Sequence, residues 1–174
     1  LEFVIRAIPE ASVSPILMFI GFEITALAYQ MTPAAHNMAV TFAIIPAITN
    51  YVYIKMKTLL EPVRDGIDKI TASLPQGSEI ATKLSNLIPA DVSHQYPYIM
   101  ALGQGFILTA MIWGATLAFL IDRRLRAAII TLLTGAVFAL FGVIHSVLPS
   151  GEVYLPWQIE STLPWQFALA YFIS

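Results

Sequence analysis

The chain has 174 residues, of which 57% are hydrophobic and only 11% charged, with a net charge of −2 and a mean hydropathy of +0.74. That balance lies outside the range of soluble globular domains and points to an integral membrane protein. A near-neutral charge without a basic arm interleaved with aromatics excludes a nucleic-acid footprint, and the lack of Cys excludes disulfides. The sequence starts at Leu1 and stops inside the apolar run FALAYFIS, so a fragment of a longer chain is expected.

Four apolar stretches are long enough to cross about 30 Å of hydrocarbon, and a fifth begins near Pro164. The first runs from Val13 to Met31. It is approached through AIPEASVSP, where Pro9 and Pro15 favour a bent or interrupted start, and it ends at MTPAAHN. Glu23 lies in its middle, where a carboxylate costs roughly 2.5 to 3.5 kcal/mol to insert. Three roles are open to it: a neutral or hydrogen-bonded interior group held by Thr25, Thr41, Thr49 or Asn50, a station on a proton pathway, or a subunit contact.

The second span, Met38 to Lys57, carries Pro46, a candidate helix break that removes a backbone hydrogen bond near mid-membrane or simply kinks the packing. A polar insert follows over residues 61–96. Val63, Ile67, Ile70 and Leu74 recur at helical steps, and Ile80, Leu84, Leu87 and Ile88 repeat the pattern after Ser78, a candidate N-cap. Two short amphipathic helices separated by PQGS are predicted, lying along the interface or capping the bundle.

The third span, Pro97 to Ile121, contains Gly103 and Gly105 in LGQGF. Without a preceding strand these are no phosphate loop, and close helix packing explains them better. The loop DRRLR puts Arg123, Arg124 and Arg126 between closely spaced spans, which places it in the cytoplasm by the positive-inside bias. The turn TPAAHN then falls on the same side, and the insert falls outside together with the segment holding Trp157 and Trp165. Lys55, Lys57, Arg64, Lys69 and Lys83 on the outer side run against that orientation. The fourth span runs from Leu125 to Leu148.

No catalytic constellation emerges. His36, His94 and His145 each stand alone and read as interfacial or capping side chains, and no metal or cofactor motif is present. The chain therefore reads as a non-enzyme. Its fold class is all-α: a polytopic bundle of four full transmembrane helices and the start of a fifth, divided into residues 1–60, 61–97, 98–124 and 125–174.

The runs AIPEASVSPILMFIGFEITALAYQ, MAVTFAIIPAITNYVY and ALGQGFILTAMIWGATLAFLIDRR resemble the late helices of the nucleobase:cation symporter family, the xanthine/uracil/ascorbate permeases, and within it the hypoxanthine/guanine branch. Ile8, Pro9, Pro15, Leu17, Ile20 and Gly21 match an IP followed by a span opening on P-x-L. Pro46 matches a central proline, and Gly103, Gly105, Arg123 and Arg124 match a glycine-containing span with basic residues at its cytoplasmic end. The likeness covers residues 5–57 and 98–124.

The resemblance implies the twelfth to fourteenth helices of a fourteen-helix inverted-repeat transporter, within the gate domain, in a bacterial inner (plasma) membrane. The family's substrate-binding carboxylates lie upstream, and none maps onto this sequence. Implied partners are the bilayer, the core domain of the same transporter and a second copy through the gate domain. The insert, the extra span after DRRLR and Glu23 depart from the family pattern. The expected function is secondary transport of a nucleobase-like or other small anionic solute with H⁺ or Na⁺. The alternative is a non-transporting membrane scaffold that binds a partner protein.

Overall fold

A computed structural model describes residues 10–75 and 78–174, and among them every regular element is helical. Seven α-helices follow in order: α1 (Glu10–Met31), α2 (Asn37–Ser73), α3 (Glu79–Ser85), α4 (Ala90–Gly103), α5 (Phe106–Ile121), α6 (Leu125–Leu140) and α7 (Leu163–Ile173). Single 3₁₀ turns occupy Ala34–His36 and Pro156–Gln158. Pro9 falls outside the described residues, whereas Pro15 is accommodated inside α1.

Several boundaries differ from those the hydropathy pattern suggests. α2 is one helix of 37 residues that runs unbroken through both Pro46 and Pro62, so Pro46 does not divide it. Val63, Ile67 and Ile70 thus lie in the distal half of α2, with Leu74 as its C-cap, and form no separate amphipathic helix; only the second predicted segment forms its own short helix, α3. The helix continues across this region although Pro62 removes one backbone donor there, with helix formers such as Leu59, Leu60, Glu61 and Arg64 on both sides.

The third apolar stretch starts earlier than Pro97 and is divided: Val92–Gly103 and Phe106–Ile121 meet at an angle of 72°. The fourth ends at Leu140, where Gly142 takes a left-handed conformation (φ +70°). The Val143 N–H bonds Phe138 O at 2.9 Å and the Gly142 N–H bonds Ala139 O at 3.3 Å, a Schellman stop. Of the four full spans expected, the described residues contain one helix long and apolar enough to cross a membrane, within Ala34–Ser73, and a second if the bent pair counts as one. Pro15–Met31, Leu125–Leu140 and Leu163–Ile173 are apolar but shorter.

α5 is the centre of the bundle, packed between α2 and α6, while α4 lies on α2 and α7 on α6. Small residues set these distances. A Cβ on Gly114 would stand 3.3 Å from that of Ala43, and one on Gly103 would stand 3.1 Å from the Asn50 Cα. The apolar core joins Ile112 of α5, Ala136 and Ala139 of α6, Ile144 of the following turn, and Ala168 and Tyr171 of α7. α1 stands apart: residues 15–27 are exposed, and the helix is tied to α2 near its end, where the Tyr29 and Thr41 hydroxyls lie 2.8 Å apart.

Candidate functional site

The break between α4 and α5 organises the site. Gly105 adopts φ +69° and its carbonyl accepts the Thr109 N–H at 3.0 Å, so it caps α5 from a conformation that L side chains rarely take. A Cβ there would also come within 2.7 Å of Val143 O and 2.8 Å of the Ile144 Cα, because the turn after α6 sits directly on the break. Two hydrogen bonds fasten it. The His145 N–H donates to Gln104 O at 3.1 Å, and the Gln104 side-chain amide donates to Leu148 O at 2.7 Å. Backbone groups freed by the break thereby find protein partners, which is what an apolar surrounding demands.

His145 is the residue this turn delivers to the core. It is 1% exposed and holds φ +56°, an uncommon conformation for a side chain other than Gly. Its imidazole stacks on Phe167 of α7, with centroids 4.6 Å apart and planes inclined by 21°. Two hydrogen bonds reach the ring and a third extends them: Nδ1 lies 3.2 Å from Ala101 O, Nε2 lies 2.9 Å from the Tyr171 hydroxyl, and that hydroxyl takes the Trp113 indole N–H at 2.8 Å.

Donor and acceptor roles follow from chemistry. A carbonyl only accepts, so Nδ1 carries a proton; an indole N–H only donates, so Tyr171 Oη accepts from Trp113 and passes its own proton toward Nε2. Each group donates to the next in the order Trp113, Tyr171, His145, and the chain ends on the Ala101 carbonyl as acceptor. It links α5, α7, the turn after α6 and α4, and it suits the neutral imidazole. Buried polar groups that satisfy one another in this way fix a unique packing.

Beside the network lies a pocket of about 400 Å³, open on one side past the exposed Phe42, Ala170 and Ser174 and lined deeper in by Trp113 and Thr116 of α5, Leu132 of α6, and Phe167 and Tyr171 of α7. Phe42 and Trp113 meet across one side, with ring centroids 5.2 Å apart. Neither ring nitrogen of His145 faces a carboxylate, and among the described residues no three His, Cys, Asp or Glu side chains gather as a metal site. The arrangement braces the junction of four elements through buried, mutually satisfied polar groups.

The residues singled out in the sequence are not gathered at one place. Gly103 and Gly105 belong to the break. Pro46 is buried within α2. Arg123 takes φ +58° and its N–H bonds Leu120 O, while the Arg124 N–H reaches Phe119 O at 2.8 Å, so the α5–α6 connection is a second Schellman stop with arginine in the usual glycine position. Arg126 is exposed in the first turn of α6.

Glu23 is exposed on α1 and makes no hydrogen bond or ion pair among the described residues. The interior, hydrogen-bonded placement considered for it does not occur. Thr25, Thr41 and Thr49 instead donate to the carbonyls of Gly21, Asn37 and Ile45, each within its own helix. His36 is not isolated, since its Nε2 lies 2.9 Å from the Asp122 carboxylate.

His145, read from the sequence as a lone interfacial or capping side chain, is instead buried and bonded at both ring nitrogens, and its partners Tyr171 and Trp113 were missed because they lie far apart in the chain. The one local signal is Gly142, whose place after the apolar run VFALF marks a helix end and puts HSVLPSG in a turn. The chain matches no family model, no curated protein and no solved structure.

Proposed function

We propose that this chain is a membrane-embedded part of a secondary active permease, a piece of its gate domain, serving a nucleobase-like or other small anionic solute driven by H⁺ or Na⁺. The observation that carries the proposal is the 72° break between two apolar half-helices, held by the turn that carries His145. Broken helices whose freed backbone is satisfied by protein recur where transporters rock one bundle against another. Two further features support it. Phe19, Phe22, Met111, Ile130 and Phe172 present exposed apolar surface far beyond single scattered residues, as a lipid-facing bundle does. The His36–Asp122 contact brings the turn after α1 and the connection after α5 to one end of the bundle, as a topology with both on the cytoplasmic side requires. The nature of the solute rests on the sequence resemblance alone.

Glu23, a carboxylate without a partner among the described residues on an apolar helix, is the proposed proton-coupling group. The test is uptake of labelled xanthine, guanine and uracil by proteoliposomes holding the full-length protein, at several external pH values, beside its Glu23→Gln variant. Uptake that loses its pH dependence in the variant supports both parts. Uptake with unchanged pH dependence removes Glu23 from the coupling path, and no uptake of any nucleobase removes the solute assignment. A membrane scaffold is the second reading, and the exposure of α1 over residues 15–27 favours it. It predicts no uptake and a partner that is lost when α1 is replaced by polyleucine.

A further inference from the structure

We infer that the cavity between α2, α5, α6 and α7 is a binding site for a neutral, ring-containing hydrophobic molecule that carries a hydroxyl, a phenol or a cyclic alcohol. This ligand class is distinct from the anionic solute proposed above, and the inference does not depend on that proposal.

Its size comes first. About 400 Å³ falls within the range of small-molecule pockets, and it exceeds the roughly 150 Å³ that admits benzene to an apolar protein cavity. The walls are flat as well as apolar: Phe42, Trp113, Phe167 and Tyr171 present ring faces or edges, which favours a planar guest.

Polar chemistry then narrows the class, because every hydrogen-bond donor on the wall is already committed. The Trp113 N–H goes to Tyr171 Oη, and the Tyr171 O–H goes to His145 Nε2. The His145 Nδ1–H goes to Ala101 O. The Thr116 hydroxyl donates to Ile112 O at 2.7 Å and that of Ser174 to Ala170 O at 2.6 Å. Among the described residues no Lys or Arg lines the space. What remains are lone pairs on three hydroxyl oxygens, so the cavity can accept a hydrogen bond but cannot give one. A carboxylate, a phosphate or a quinone carbonyl would lose its water and gain no partner, whereas a hydroxyl can donate.

The experiment compares three probes of one shape by equilibrium dialysis against nanodiscs that hold the full chain, with empty nanodiscs subtracted. They are 2-naphthol, 2-methoxynaphthalene and 2-naphthoate at neutral pH. The expected result is saturable binding of 2-naphthol at one per chain, weakened several-fold to about tenfold in the methyl ether, which has no proton to donate, and absent for the carboxylate. Ala170→Phe, which fills the cavity from one wall, should abolish 2-naphthol binding while the helical circular dichroism is kept. No binding above empty nanodiscs overturns the inference. Equal binding of all three probes overturns it as well, as does unchanged binding in a folded Ala170→Phe protein. Should that variant fail to fold, the order of the three probes on the unaltered chain decides.

Discussion

Replacing Gly105 by alanine tests the central claim that the turn after α6 is built against the α4–α5 break. Two costs act together. Holding a non-glycine residue at φ +69° costs about 1 to 2 kcal/mol. The new methyl would also sit 2.7 Å from Val143 O and 2.8 Å from the Ile144 Cα, and both neighbours are backbone, so no side chain can swing aside. Overpacking of that kind costs about 1 to 3 kcal/mol. Their sum, about 2 to 5 kcal/mol, is a large share of the roughly 5 to 15 kcal/mol that holds a typical domain together.

Gly66→Ala is the matched control. Gly66 lies inside α2 with nothing within 4 Å of its would-be Cβ, so alanine there should raise stability by about 0.5 to 1 kcal/mol. Denaturant titration of each purified variant in detergent micelles, followed by far-UV circular dichroism, reads the difference as a shift in midpoint. Opposite shifts for the two substitutions are expected. A loss below about 1 kcal/mol for Gly105→Ala, or an equal loss in both, would refute the packing described here.

Tyr171→Phe keeps the ring but strands the Trp113 N–H and His145 Nε2; a loss of about 2 kcal/mol or more is expected, measured by the same titration. Gly103→Ala should cost about 1 to 3 kcal/mol, because its methyl would lie 3.1 Å from both the Asn50 Cα and the Tyr53 Cβ, and a cross-link between α2 and α4 would report the forced separation. His36→Ala and Asp122→Asn, combined in a double-mutant cycle, should show a coupling below about 1 kcal/mol, since both side chains keep substantial solvent contact. A coupling several times larger would mean that this end of the bundle is far drier than the exposure of Asp122 indicates.

The helices themselves were legible as apolar runs, because burial or lipid exposure of a whole helix leaves a hydropathy signal that needs no tertiary knowledge. Where each one stops was harder. LGQGF suggested close packing of Gly103 and Gly105, and the structure adds that Gly105 also turns the chain, since a glycine serves either purpose and only φ separates them. The run from Leu125 to Leu148 is continuous in hydropathy yet ends at Leu140, because its last eight residues are apolar in order to cover the break and not in order to be helical. α2 continues past residue 60 although its polar half has the composition of an insert and Pro62 is a breaker: composition and a single proline do not by themselves end a helix. The network at His145 joins residues 44, 26 and 58 positions apart, and no periodicity in a single sequence encodes such pairings.

The length of α2 has a mechanical consequence. Residues 37–54 carry no charge and extend about 27 Å at 1.5 Å per residue, close to the thickness of a hydrocarbon layer. From Lys55 to Ser73 the same unbroken rod continues for about another 28 Å, carrying all of the charges of α2. Were its first half seated in a bilayer, as proposed above, the helix would be a lever with nearly equal arms and a fulcrum near Lys55, whose ammonium lies over the Tyr51 ring. In that setting a tilt of about 10° would swing the far tip by about 5 Å, a displacement that a spin label near Ser73 would follow.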